Sequence, residues 1–299
     1  MGALIPCAIY KLNYRKNQKR LCTWRCMLRC MATASFDGIR TKLDRAVQLR
    51  DDFHTESARY FKSNPYGIQR RDNPETGECT FYLTQVPDIP PRLVAIIGDA
   101  LHNLRSALDH LAWQLVIKAG NIPTNVTAFP ICDSAKHHQH ESRKRLKGMS
   151  QNAIDAIDNL KPYKGGGDPD NLLWCLHRLN AIDKHRLLVT TGSRLTAHSM
   201  SPSQRARIIK NFYGSYPRDH LAPDLSKTLI APSRVVQFPL KAGDELVSLP
   251  IPELEQVMSF NFAVAFREPG TMDGVPVDEA LFRMRALVGA IALDFYSLK

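Results

Sequence analysis

Apolar and polar positions alternate with a helical period most clearly between Pro91 and Gly120. Leu101, Leu104, Leu108, Leu111 and Leu115 recur at spacings of three and four, so they share one face. The pattern predicts a helix over about 92–118, led in by Pro90-Pro91 and stopped at Gly120. The opposite stripe carries His102, Arg105, Ser106, Asp109 and His110. An ordinary solvated face is richer in Lys and Glu. This one holds two imidazoles, a guanidinium, a hydroxyl and a carboxylate, groups used in acid–base work and anion binding.

The same period predicts a long polar helix over 36–62, an amphipathic one over 150–160, and a second strong helix over 170–186. Asp168-Pro169-Asp170-Asn171 supplies that second helix with a cap and first turn. Residues 134–148 are so charged that they read as a helix or a loop. Cys79–Leu83 reads as a short strand after the turn chemistry of Pro74–Gly77, and 128–131 as extended chain. Beyond 186 the period changes to two. Residues 187–191, 208–212, 235–238, 245–249 and 258–266 read as strands, and a closing helix spans about 277–298. The expected fold class is α+β: an N-terminal, bundle-like helical part, an antiparallel β-rich part and a C-terminal helix. The expected division is an extension over 1–30, a helical part over 31–186 and a sheet with its helix over 187–299. One compact unit from 31 onward is an equal alternative.

Charge sharpens this division. The formal net charge is +11. Residues 1–30 hold Lys11, Arg15, Lys16, Lys19, Arg20, Arg25 and Arg29 and no acid, which leaves only +4 on the rest. The body is therefore mildly basic, and composition alone does not make it a nucleic-acid binder. The first thirty residues also hold Cys7, Cys22, Cys26 and Cys30, at a spacing that matches no common metal motif. They read as a disordered basic extension, or as an upstream start called ahead of Met31. Cys79, Cys132 and Cys175 in the body are far apart, as reduced thiols in a cytoplasm are. No apolar run reaches membrane-spanning length, so no membrane partner is expected. Lys164-Gly165-Gly166-Gly167 lacks the ending of a phosphate loop, and no cofactor motif is present.

The candidate chemistry sits on the two strong helices. His102, Arg105, Asp109 and His110 are the candidate catalytic groups. Ser106, with His177, Asn180, Lys184 and His185 on the second helix, are candidate ligand contacts. Side by side, the two polar stripes would line a cleft. The bland alternative gives Arg105 and Asp109 an exposed i,i+4 ion pair and lets Lys184, His185 and Arg186 complement the helix C-terminus. A His-based metal set from His102, His110 and His177 with Asp99 or Asp109 is a third possibility, though no spacing demands it. His137-His138-Gln139-His140 reads as a solvated charged face.

Two resemblances attach to these residues. The run Gly98-Asp99-Ala100-Leu101-His102-Asn103-Leu104-Arg105-Ser106-Ala107-Leu108-Asp109-His110-Leu111, with Leu179-Asn180-Ala181-Ile182-Asp183-Lys184-His185-Arg186, resembles a family of uncharacterised bacterial proteins common in actinobacteria. That likeness covers most of residues 31–299 and implies no activity. Arg105-Ser106-Ala107-Leu108-Asp109-His110 is similar to the Arg-x4–6-His motif of HEPN domains, helical bundles that often act as metal-independent ribonucleases. The likeness implies that Arg105 contacts a scissile phosphate, that His110 assists proton transfer, and that a homodimer completes the site. It covers one helix, the motif lies mid-helix, and HEPN bundles lack a β-rich half. The expectations are thus an RNA-cleaving enzyme, or a non-enzymatic protein that binds a small anion or a partner.

Overall fold

The structure, a computed structural model, describes residues 34–167, 171–186, 192–198, 238–250 and 260–298, with the backbone alone described for 192–198, 249–250 and 261. The expected extension over 1–30 and the strands expected at 187–191, 208–212 and 235–237 lie outside the described residues, as do residues 168–170 of the expected helix cap.

Helix α1 (Asp37–Lys62) buries only the stripe Ile39, Ala46, Leu49 and Phe53. Strands β1 (Gly67–Asn73) and β2 (Glu78–Gln85) follow as a hairpin. Its turn is set by Asn73, whose Oδ1 accepts from the backbone of Glu75, and by Gly77 at φ +68°. Helix α2 (Pro91–Lys118) starts with proline at its first position. At its far end Gly120 (φ +77°) lets the chain turn, so that Asn121 N–H bonds back to the Val116 carbonyl. Two short helices come next: α3 (Ala135–Arg145), capped by Ser134, and α4 (Gln151–Asn159), capped by Ser150. Helix α5 (Leu172–His185) precedes β3 (Gly192–His198), β4 (Glu245–Pro250), β5 (Phe260–Ala265) and α6 (Val277–Ser297).

The fold class is α+β. Helix α2 is the spine. Buried residues run along one broad face of it, from Leu93 to Val116, and α1, α5 and α6 pack against it. Arg50 holds the first turn of α6 to α1 through a two-pronged pair with Asp278, at 2.6 and 3.1 Å. One small sheet has the order β1-β2-β4 and the other pairs β3 with β5, all antiparallel. The β-rich part is therefore not confined to residues beyond 186: β4 completes a sheet begun by the early hairpin. Tyr66 beside that hairpin stacks on Phe262 of β5 at 4.2 Å between ring centroids, which joins the two sheets. Among the described residues no helix is long and apolar enough to cross a membrane.

Candidate polar seam between helices α2 and α5

Helices α2 and α5 meet along their polar stripes. A Cβ on Gly98 would run into the Asp183 carboxylate, so glycine at 98 is what lets the helices close there. Further along α2, and further back along α5, Arg105 Nε lies 3.4 Å from His177 Nδ1. The two contacts together make the helices antiparallel.

Arg105 is the centre of the seam, and it is buried, at 6% exposure. Its Nη1 donates to Asp109 Oδ1 at 2.7 Å and its Nη2 to the Phe129 carbonyl at 2.8 Å. Asp109 Oδ1 also accepts the Phe129 N–H at 3.0 Å. The pair thus takes both backbone groups of Phe129, whose ring is fully buried. This clamp fastens the segment between α2 and α3 onto the spine. Burial lowers the Arg105 pKa, and the Asp109 charge works against that shift. The exposed ion pair of the bland alternative is in fact a buried guanidinium with protein partners on three sides.

His177 is half-buried. Burial, reinforced by the Arg105 and Arg145 guanidinium charges, pushes its pKa down to about 4. The ring is therefore neutral at pH 7. Nδ1 faces an Arg105 N–H and so must be the acceptor, which puts the ring proton on Nε2. Asn180, one turn on, is buried, and its Oδ1 has no hydrogen-bond partner. Asp183 has its pKa raised by burial and by the Asp99 charge, with His102 opposing.

The other candidates are spread out. His102 is exposed, with its Nε2 3.4 Å from Ser106 Oγ. Lys184 and His185 are exposed at the end of α5. His110 belongs to another face: a Cβ on Gly38 of α1 would lie 2.9 Å from its Nδ1. Within one chain, Arg105 and His110 are not brought together. Among the described residues no three His, Cys, Asp or Glu side chains gather to hold a metal ion.

Two polar features escaped sequence reasoning. The Phe129 backbone, a partner of both Arg105 and Asp109, carries no side-chain signal. His138 is the other. The structure buries it at 4% exposure, against the expectation of a solvated run over 137–140. Its Nε2 lies 2.8 Å from Asp158 Oδ1 and 3.1 Å from Ser142 Oγ. The spacing of His138 and Ser142 was the available clue.

Comparison with protein-family models, with curated proteins and with solved structures gives no match.

Proposed function

We propose that this protein works by binding a small anionic ligand, not by cleaving RNA. The commitment of Arg105 carries this reading. A guanidinium that contacts a scissile phosphate needs open N–H donors, and this one is buried against a carboxylate, a carbonyl and an imidazole. Freeing it would leave the half-exposed Asp109 without its cation and strand the Phe129 carbonyl, at a cost of about 1–3 kcal/mol for that buried group. His110, the other half of the HEPN pattern, faces α1. A nuclease built on these residues requires a second copy to supply one of them, and nothing in the seam prepares for that.

Binding makes no such demand. The exposed Lys184, the weakly paired His102 and Ser106, and the Nε2 proton of His177 are donors that the Arg105 clamp does not use. The test is incubation of the purified full chain with a mixed-sequence single-stranded RNA, without metal and over a range of protein concentrations. The expected result is intact RNA throughout. Cleavage that rises with concentration and disappears in His110→Ala would restore the ribonuclease and its dimer.

A further inference from the structure

Away from the seam, α3, the turn at Gly148, α4 and the chain at Tyr163 enclose a cleft of about 480 Å³. That volume lies within the range of small-molecule sites. Helix α3 lays one face along it. His138, Ser142 and Arg143 of α3, with Lys147 in the turn after it, all line the cleft.

Its floor is polar, with His138 and Ser142 buried beside a half-exposed Asp158. Asp158 Oδ1 is the nearer partner of His138 Nε2, at 2.8 Å, and a carboxylate accepts only, so the ring proton sits on Nε2 and points at Asp158. Ser142 Oγ, 3.1 Å from the same nitrogen, then faces a nitrogen that already carries a proton. A protonated Nε2 cannot take the serine proton, so His138 does not activate Ser142 as a nucleophile. Its hydroxyl proton is left free to donate into the cleft. His138 Nδ1 is buried with no hydrogen-bond partner.

The rim is cationic on one side. Arg143, near the end of α3, and Lys147, four residues on in the turn that follows it, are exposed, and neither has an acidic partner among the described residues. Their neighbours Lys144 and Arg145 both pair with Glu141. Like charges at this spacing repel, and an anion between them removes the repulsion. Asp158 stands opposite, with half its side chain exposed. It disfavours a polyanion such as RNA along the whole cleft, while admitting one compact charge at the α3 rim. Ile154 and Tyr163 supply an apolar wall between the two.

We propose that the α3–α4 cleft binds a small organic oxyanion, a phosphate or carboxylate. Arg143, Lys147 and the Ser142 hydroxyl hold its head, and Ile154 and Tyr163 cover its apolar body. The site is separate from the seam and rests on the binding role only in that a ligand, not a substrate, is sought.

Phenyl phosphate is the probe, titrated calorimetrically into the full chain, with inorganic phosphate alongside. One phenyl phosphate should bind per chain, more tightly than inorganic phosphate. Arg143→Ala with Lys147→Ala should weaken it by about tenfold or more, from the loss of two charge-assisted contacts. Lys136→Ala with Lys144→Ala removes the same charge from α3 outside the cleft and should leave binding intact. All four residues are exposed, so the fold survives, as circular dichroism would verify. Absence of binding, or equal weakening in both double variants, would overturn the site. RNA cleavage by a protein that still binds phenyl phosphate here would refute the binding-only role and leave the cleft standing.

Discussion

The α2–α5 seam and the α3–α4 cleft are built from the same kinds of residue and end in opposite conditions. Each holds a histidine, an aspartate, an arginine and a serine. In the seam the arginine is inside, and its donors go to Asp109, Phe129 and His177. In the cleft the arginine is outside, without an acidic partner among the described residues, and the histidine is inside. Residue type therefore does not separate a structural node from a binding site. What separates them is how many donors remain after the protein has used its own acceptors.

The largest effect that would break this contrast is loss of the Arg105 clamp. Arg105→Ala leaves Asp109 half-exposed without its cation and strands the buried Phe129 carbonyl. The expected destabilisation is about 2–4 kcal/mol, from a stranded buried carbonyl and a lost charge-assisted hydrogen bond. Urea unfolding followed by circular dichroism measures it. A loss of only a few tenths would mean that Arg105 is not holding the fold, and would reopen the catalytic reading.

Next in size is the close approach at the other end of the seam. Gly98→Ala places a methyl group against the Asp183 carboxylate. Overpacking of this kind costs about 1–3 kcal/mol. Asp183→Ala should recover most of that loss, since it removes the atoms in the way. A double-mutant cycle that shows no coupling would mean that the helices do not meet at these residues.

His177 sets a pH dependence of similar size. Its pKa of about 4 in the folded chain lies below the ordinary 6.5, so between these values the unfolded chain binds more protons. Stability contributed by the neutral ring is therefore complete above about pH 6.5 and is lost as pH falls toward 4. The linkage amounts to roughly 2–3 kcal/mol over that window. His177→Gln should flatten the fall in urea stability between pH 6.5 and 4.5. An unchanged slope in the variant would place the titrating group elsewhere.

The long helices were legible because burial wrote a period into them. The leucines from 101 to 115 predict α2 almost to the residue, and of the expected α6 stripe Leu281, Met284 and Ile291 are buried while Leu287 is partly so. Strand β1, Gly-Ile-Gln-Arg-Arg-Asp-Asn, was not legible. It is an edge strand with mostly exposed side chains, so backbone pairing with β2 holds it and leaves little trace in side-chain type. The pairing of β2 with β4 is likewise a long-range event that neither strand announces. In the seam, the sequence named Arg105, Asp109 and His177 but not Gly98, Asp183 or Phe129, nor which side chains would be buried. Arg105 is inside because a backbone carbonyl from the next segment reaches it, and a lone arginine does not encode its acceptor. His138 is the same lesson reversed: nine of the eleven residues of α3 are not buried, and the buried pair His138 and Ser142 lies hidden in a charged run.

The smallest effect on stability tests the other half of the contrast. If the donors of the cleft rim are unused by the fold, removing them costs the fold nothing. Arg143→Ala with Lys147→Ala should change unfolding free energy by no more than about 0.5 kcal/mol, as for other exposed positions, and relief of their repulsion makes a small gain the expected sign. Raising the salt concentration should erase that gain, because screening weakens the repulsion in the unmutated chain. A loss above about 1 kcal/mol would show that these side chains already have partners in the folded protein. The cleft would then be a second seam, with nothing left over for a ligand.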